Sequence, residues 1–347
     1  MYIKKILIAI VLIGLVVAGV IAYTIYQTMF VSNTAFNNDV AYVYIPTNAT
    51  YQVVRTELEP LLKDIDKFDA LAERKKYTTN IKAGKYAIKK GMNNNDIINS
   101  IRSNNMPVKL SFNNQESLQR LAGRISTQIE ADSLALYSVM SSSEFLKAND
   151  FSSKTALGMY IPNSYEFFWN TSAEQFRERM LKEYHRFWND ERMSKAKALN
   201  LTPDKVMTMA SIVQKETAKV DERKRVAGVY MNRLKIGMPL QADPTVIYAI
   251  KLTTGDFDQI IKRVLYKDLE IDSPYNTYKY AGLPPGLITM PDISSIDAVL
   301  NYEKHDYFYF VADVKNFGYH KFAKTLSQHN VNRQEYVRWI NQQGVNR

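Results

Sequence analysis

An apolar stretch near the amino terminus constrains the possible folds of this chain more than any other feature. From Ile6 to Tyr26 the sequence carries no charged residue, and only glycines, Thr24 and tyrosines interrupt the aliphatic side chains. A helix of about 20 apolar residues crosses the hydrocarbon core of a bilayer. We therefore predict a membrane-spanning helix over residues 6–26.

The charges around this stretch predict its orientation. Lys4 and Lys5 precede it, and the first acidic residue is Asp39. By the positive-inside rule, residues 1–5 lie in the cytoplasm and the remainder of the chain lies outside. A cleaved signal peptide is the competing interpretation, but its apolar core is usually only about 7–15 residues long and ends in a small-x-small site, which is not evident here. We predict an uncleaved signal anchor in a bacterial plasma membrane.

Composition is typical of an exported globular protein and excludes several classes of site. Apolar residues make up 46% of the chain, enough for a folded core. The chain has no cysteine, so disulfides, thiol nucleophiles and cysteine metal sites are excluded. The net charge of +10 is spread along the sequence, which favours anionic lipid or wall polymer over nucleic acid as a partner. Ordinary solvation of a basic surface explains the charge equally well.

Periodicity and turn signals predict an α+β protein with several regions after the anchor. We expect a stalk over 27–39, a small α/β module over 40–106, a connecting strand–helix region over 107–155 and a helix-rich α+β domain over 156–347. In that last domain the predicted helices are 172–189, 203–218, 222–236, 257–265, 294–301 and 332–343. Its predicted strands are 246–248, 277–278 and 307–311.

One of these predicted helices carries a carboxylate on its apolar face. Thr202 and Pro203 form a helix start signal. Val206, Met209 and Val213 then recur at three- and four-residue steps, and Glu216 is the next residue on the same stripe. A carboxylate on a face that a helix normally buries is paired, protonated or functional. A structural ion pair or cap is the simpler explanation at this point.

Several ordered blocks follow Glu216, and together they resemble one family. The blocks are Ala210–Thr217, Val229–Met238, Leu240–Tyr248, Tyr275–Tyr278, Gly282–Gly286, Tyr309–Ala312 and Ser327–Asn330. In this order they resemble the endolytic murein transglycosylases, the MltG or YceG-like family. The resemblance covers nearly the whole chain after the anchor and is densest over residues 155–335. Gln214 departs from the pattern, because many relatives carry a glutamate there, so Glu216 is the residue that matches the family's catalytic glutamate.

The resemblance implies a lytic transglycosylase that cuts the β-1,4 bond between N-acetylmuramic acid and N-acetylglucosamine in nascent peptidoglycan. It also implies that residues 40–106 are a LysM-like module, which either holds glycan or spaces the catalytic domain from the membrane. Peptidoglycan synthases (penicillin-binding proteins) are the implied protein partners, and cleavage would terminate glycan growth. No cofactor is implied, and His329 lacks the acidic and cysteine partners of a metal site.

The chemistry of such an enzyme needs only one carboxyl group. Glycoside hydrolases usually use two carboxylates. In a lytic transglycosylase one glutamic acid protonates the leaving oxygen and then accepts the proton of the muramyl C6 hydroxyl, which closes on C1. The acid must be protonated near neutral pH, so its pKa must be raised. The apolar stripe that ends in Glu216 would supply the necessary desolvation.

Five further residues are candidates for substrate binding, each with a structural alternative. Asn276 and Tyr278 would share one face of an extended segment, and Gln241 is a similar neutral hydrogen-bonding group. Asp243 precedes Pro244 and is either a second catalytic carboxylate or part of a local turn. Arg233 would bind a peptide or lactyl carboxylate, or pair with Glu222 or Asp243.

Two other functions remain open from the sequence. A muramidase would use Glu216 together with Asp243 and would leave a reducing end on its product. An anchored glycan-binding scaffold would have lost catalysis, and Gln214 would be a first sign of that loss.

Overall fold

A computed structural model describes residues 2–342 as fourteen α-helices and six short strands. In chain order they are α1 (Tyr2–Phe30), β1 (Val40–Ile45), α2 (Tyr51–Leu58), α3 (Ile65–Arg74), β2 (Gly84–Lys89), α4 (Asn94–Ser103), β3 (Pro107–Phe112), α5 (Leu118–Ser126), α6 (Ser133–Met140), α7 (Ser143–Ala148), β4 (Asn163–Phe168), α8 (Ala173–Phe187), α9 (Asp190–Ala198), α10 (Pro203–Glu216), α11 (Arg223–Lys235), α12 (Asp243–Thr254), α13 (Ile293–Leu300), β5 (Tyr309–Ala312), β6 (His320–Ala323) and α14 (Leu326–Gln342). The strands form three two-stranded sheets, β1–β2, β3–β4 and β5–β6. The predicted helix-rich α+β class is confirmed.

Helix α1 is the predicted apolar helix, and it is longer than expected. It spans Tyr2–Phe30, and its length and composition are sufficient to cross a membrane. Most of its apolar side chains are exposed to solvent. Aliphatic side chains that are exposed over this length are those expected of a helix surrounded by the hydrocarbon of a bilayer. The single-pass anchor is therefore supported by both sequence and structure.

The chain divides into two compact units. Of the described residues, the first comprises 2–110, 127–131 and 165–172, and the second comprises 111–126, 132–164 and 173–342.

In the first unit, an antiparallel pair of strands, β1 and β2, packs against three helices. Val43 lies opposite Tyr86 in the β1–β2 register, and both are buried. Because side chains alternate across a strand, the neighbouring Tyr42 and Tyr44 point outward and are exposed. The buried face meets apolar residues of α2, α3 and α4, including Leu58, Phe68, Ile97, Ile98 and Ile101. The two strands and the three helices all lie within residues 40–106, the region for which the sequence predicted both element types.

In the second unit, α10 lies at the centre of the core. Pro203 is its first residue, as predicted, and every residue from Val206 to Val213 is buried. Helices α11, α12 and α13 all contact α10. A helix that is apolar on all sides is surrounded by other elements, so its end is held firmly in place. That end is Glu216.

Several predicted elements of the second unit are wrong. Residues 246–248 belong to α12, because Pro244 stands near the first position of a helix. Residues 277–278 lie in a turn, and residues 257–265 form an irregular segment instead of a helix. Helix α14 begins at Leu326, earlier than predicted, and its predicted last residue, 343, lies outside the described residues. The predicted 307–311 strand corresponds to β5.

Candidate active site

An open pocket of about 650 Å3 lies in the second unit, at the end of α10. Its wall is built from α10, α11, the start of α12, the β5–β6 hairpin, one face of α14 and the irregular segment before residue 270. Among the predicted site residues, the pocket brings together Glu216, Arg233, Gln241, Asp243 and Tyr278.

Glu216 is the last residue of α10 and is half-buried in the pocket wall. The pKa of its carboxyl group is raised to about 7, mainly by burial and with a smaller contribution from the nearby Asp243 charge. The Tyr230 hydrogen bond and the electrostatic interactions with His320 and Arg233 act in the opposite direction. Because burial dominates, a substantial share of Glu216 is protonated at neutral pH, which suits a general acid.

Tyr230 of α11 positions the Glu216 carboxylate. Its hydroxyl donates a hydrogen bond of 2.6 Å to Glu216 Oε1. The tyrosine ring is buried and packs edge-on against Phe310 of β5, with ring centroids 5.8 Å apart. Because the ring is buried and packed against Phe310, its hydroxyl has little freedom to move. The orientation of the Glu216 carboxyl group is therefore set before substrate binds.

Asp243 and Tyr278 form a second polar pair in the pocket. The Tyr278 hydroxyl donates to Asp243 Oδ1 at 2.6 Å. Although Asp243 is exposed at the pocket opening, the atoms around its carboxyl group exclude much of the solvent and raise its pKa, and the Tyr278 hydrogen bond counters this shift. Asp243 is the first residue of α12, where a helix dipole favours a negative charge. The pair is thus held by local structure and faces the same space as Glu216.

Gln241 lies on the pocket wall with an unusual backbone. Its φ angle is 50°, in the left-handed region that few residues other than glycine adopt. Its amide N–H donates to the Thr277 carbonyl at 3.0 Å, which joins the two loops. The side chain is exposed and lines the pocket, where it is available to substrate.

Asn276 is placed away from the pocket wall, and the expectation that it shares a strand face with Tyr278 is wrong. Its side chain is completely buried, and its amide nitrogen donates to the carbonyls of Leu269 and Ile271 at 2.8 and 2.9 Å. Its Oδ1 accepts the backbone N–H of Tyr278 at 3.0 Å. Asn276 therefore stabilises the loop that carries Tyr278.

Arg233 is buried in the pocket wall, and no salt bridge joins it to Glu222 or Asp243. Its guanidinium donates to the carbonyl of Phe308 at 2.6 Å and to that of Leu240 at 2.7 Å. Burial lowers its pKa. The predicted pairing with Glu222 or Asp243 is wrong; Arg233 ties β5 to the loop before Gln241 and leaves a positive charge in the pocket.

Gln214 belongs to a hydrogen-bonded cluster behind the site. With its amide oriented to satisfy both atoms, its nitrogen donates to Asp292 Oδ2 at 3.0 Å and contacts Ser295 Oγ at 2.7 Å. Asp292 also accepts two hydrogen bonds of 2.8 Å from buried Arg223. A glutamate at position 214 would place a second negative charge against Asp292. Glutamine is therefore the residue that this cluster accommodates.

The structure adds to the pocket two histidines that were not among the predicted site residues. His320 of β6 is held by the buried Glu222, whose Oε1 accepts its backbone N–H and whose Oε2 meets its Nδ1, both at 2.8 Å. His329 of α14 stacks on Tyr309 with ring centroids 5.2 Å apart. Glu222 and His320 are 98 residues apart, so no local pattern could have revealed their pairing. No group of three or more metal-ligating side chains lies together in residues 2–342.

The fold and the pocket define an α+β protein that carries an apolar amino-terminal helix and one carboxyl group with a near-neutral pKa. The chain belongs to the YceG-like family, whose model matches residues 43–335.

Named relatives and one solved structure agree with this assignment. The chain is 42% identical over 181 residues to an endolytic murein transglycosylase of Bacillus subtilis, covering 52% of this chain and 48% of that protein. It is 31% identical over 328 residues to an endolytic murein transglycosylase of Streptococcus pneumoniae, covering 85% of this chain and 58% of that protein. The chain thus spans about half the length of the curated relatives it matches. A crystal structure of a yceG-like protein from Listeria monocytogenes is 32% identical and superposes with a TM-score of 0.56, covering 85% of this chain and 99% of that one.

Proposed function

We propose that this protein is an endolytic peptidoglycan lytic transglycosylase, with Glu216 as its single catalytic acid and base. The observation that carries this proposal is the half-buried Glu216 carboxyl group, whose pKa is raised to about 7 at the wall of an open pocket. The names of the relatives supply the substrate class, since they are murein transglycosylases.

The reaction proceeds in two proton transfers. Protonated Glu216 gives its proton to the glycosidic oxygen, and the bond from that oxygen to C1 of N-acetylmuramic acid breaks, releasing N-acetylglucosamine as an alcohol. The carboxylate then removes the proton of the C6 hydroxyl, and O6 bonds to the oxocarbenium-like C1. The product is a 1,6-anhydro end, water is not consumed, and Glu216 is protonated again.

The other pocket residues support these steps by position and charge. Tyr230 orients Oε1 of Glu216 and stabilises the carboxylate formed in the first step. Asp243, through its charge, helps to keep Glu216 protonated before that step. Gln241 and Tyr278 are the neutral hydrogen-bonding groups for the acetamido and hydroxyl groups of the sugars. Asn276 and Arg233 act on substrate only indirectly, by holding the loops that carry Tyr278 and Gln241.

The membrane anchor determines on which side of the membrane the proposed reaction takes place. With Lys4 and Lys5 on the cytoplasmic side, the pocket lies outside the plasma membrane, where nascent glycan strands emerge. Cleavage close to the membrane would terminate glycan growth in company with the synthases that polymerise it. The region 40–106 serves as the LysM-like module, which holds glycan or sets the height of the domain that begins near residue 156.

The test is digestion of uncrosslinked glycan strands by the detergent-solubilised full chain, with Glu216→Gln alongside, read by mass spectrometry. Products with 1,6-anhydro ends, lighter than hydrolysis products by one water and absent with the variant, are expected. Reducing ends would replace this proposal with a muramidase that uses Glu216 and Asp243. Binding of strands without cleavage by the unmodified protein would replace it with a scaffold.

A further inference from the structure

One face of α14 carries polar and charged side chains into the pocket. Leu326, His329, Asn330, Arg333 and Tyr336 follow one another at helical spacing, and all line the cavity. The Nη2 of Arg333 donates to the hydroxyl of Tyr266 at 2.8 Å, which ties α14 to the irregular segment that carries Arg263.

The two arginines of this region lack anionic partners. Within residues 2–342, neither Arg263 nor Arg333 forms a salt bridge, and the Tyr266 hydroxyl is the only protein group to which either is hydrogen-bonded. By contrast, Arg223, which lies outside the pocket, is paired with Asp292 at 2.8 Å. Two guanidinium groups without counter-charges in a concave site attract an anion from outside the chain.

The other charged groups of the pocket do not neutralise them. Arg233 adds a third positive charge, and within residues 2–342 its side-chain hydrogen bonds all go to carbonyl oxygens. Burial, together with the charges of Arg233 and Arg333, lowers the pKa of His329 and so disfavours a positive charge on that imidazole. Glu216 and Asp243 are the acidic residues lining the pocket, and both have raised pKa values. When Glu216 is protonated for the first step, the pocket has a net positive charge.

We propose that Arg263 and Arg333 form an anion subsite that binds a negatively charged group of the glycan strand while its sugar reaches Glu216. The proposal rests on the proposed function, because it takes peptidoglycan as the substrate. Such strands carry anions of two kinds: the carboxylates of the peptides attached to muramic acid, and the diphosphate of a lipid-linked end. The planar guanidinium group forms paired hydrogen bonds with either kind, which a neutral sugar does not require.

The test measures binding separately from catalysis. Full-length Glu216→Gln protein in detergent is compared with the same protein that also carries Arg263→Gln and Arg333→Gln. Dissociation constants are measured for peptide-bearing strands and for strands whose peptides an amidase has removed, each with and without the lipid diphosphate. The control adds Arg338→Gln, because Arg338 lies on α14 but outside the pocket and donates to the Gln334 carbonyl.

The subsite predicts a selective loss of binding. The double arginine variant is expected to lose about tenfold or more in preference for the anion-bearing strand, since it loses charge-assisted hydrogen bonds to the anion. A loss confined to the peptide pair of strands assigns the subsite to peptide carboxylate, and a loss confined to the lipid pair assigns it to diphosphate. The Arg338→Gln control should keep both preferences.

Two results would overturn the subsite, and they differ from failure of the proposed function. Unchanged preferences in the double variant would show that the arginines bind no anion of the strand. An equal loss for all four strands would show a structural effect instead, and Arg263→Lys with Arg333→Lys, which keeps the charges, checks this by restoring part of the preference. Failure of the proposed function would appear elsewhere, as absence of anhydro products with the unmodified protein.

Discussion

The hydroxyl of Tyr230 donates a hydrogen bond of 2.6 Å to Oε1 of Glu216, and within residues 2–342 no hydrogen bond reaches the other carboxyl oxygen. One oxygen of the group is therefore held by α11, while Oε2 is free to meet a glycosidic oxygen. The same hydrogen bond favours the ionised carboxyl group and so limits the rise in pKa that burial causes. Tyr230 thus helps to keep the pKa of Glu216 in a range where both its protonated and its ionised form, which the proposed reaction uses in turn, are accessible.

The first prediction concerns the pH dependence of the unmodified protein. Glu216 must be protonated in the free enzyme, and its pKa is about 7. We expect kcat/KM for strand cleavage to fall as pH rises above about 7, approaching a tenfold loss for each further pH unit. The measurement is initial-rate cleavage of uncrosslinked strands between pH 5 and pH 9. A rate that stays constant to pH 9 would contradict the role of Glu216 as the acid.

Replacing Tyr230 by phenylalanine should move this pH dependence upward. Without the hydroxyl, the ionised form of Glu216 loses a hydrogen bond, so its pKa rises and the alkaline fall begins at higher pH. We also expect kcat to drop by about tenfold, since one charged hydrogen bond that orients the base is lost. Tyr137→Phe, at an exposed tyrosine outside this pocket, is the control and should leave the profile in place.

Replacing Asp243 by asparagine should move the profile in the opposite direction. The Asp243 charge raises the pKa of Glu216, so its removal lowers that pKa and the alkaline fall begins at lower pH. Cleavage should persist and still give anhydro ends, because the proposed reaction needs only one carboxyl group. Asp190→Asn, at an exposed aspartate of α9, is the control. Complete loss of cleavage in a folded Asp243→Asn protein would favour a second catalytic carboxylate and a hydrolase.

Local signals were sufficient to predict the central helices of the site. Pro203 begins α10 and Gly237 follows the end of α11 with a φ angle of 67°, as their residue types predict. The three- and four-residue spacing that ends at Glu216 correctly placed its carboxylate at the edge of the core. These features depend on neighbours in the sequence, which is why they could be predicted.

The features that were missed depend on distant residues. Residues 246–248 are rich in β-branched and aromatic side chains and were predicted as a strand, but Pro244 begins a helix there and packing against α10 buries Val246 and Ala249. Asn276 was predicted to contact substrate, but it is buried beneath the loop that contains Leu269. Secondary-structure propensity predicts poorly where tertiary contacts determine the local structure. The spacing of these residues in the sequence gives no indication of those contacts.

Glu216→Gln should make the protein more stable at alkaline pH. The folded-state pKa of Glu216, about 7, lies above its unfolded value, so between these values the folded state binds more protons and its free energy of unfolding falls as pH rises. Glutamine does not titrate, so the variant does not show this pH-dependent loss of stability. We expect a gain of about 1–3 kcal/mol at pH 8 and none below pH 4. Urea unfolding followed by tryptophan fluorescence, to which the buried Trp188 contributes, measures the difference, with exposed Glu57→Gln as the control. A destabilised Glu216→Gln protein at pH 8 would show that the ionised carboxyl group is favoured by its surroundings.

Gly286→Ala should destabilise the second unit, because the backbone passes too close for any side chain. A Cβ atom built on Gly286 would overlap the Lys154 carbonyl, and Leu287 N–H donates to that same carbonyl at 3.3 Å. Backbone that must shift to accept a methyl group costs about 1–3 kcal/mol in a packed region. The shift would also disturb Ile288, whose N–H donates to Ser211 Oγ of α10 at 3.1 Å, so cleavage should fall together with stability.

The matched control for this substitution is Gly123→Ala. Gly123 lies in α5, and a Cβ there would meet no atom within 4 Å, so alanine should leave stability unchanged or raise it by about 0.5–1 kcal/mol. Thermal unfolding and strand cleavage are measured for both variants. Equal stability of the two proteins would show that the Lys154 and Gly286 backbones can separate without cost. Loss of stability in Gly286→Ala with full cleavage activity would show that a shift of the 284–288 loop does not displace α10.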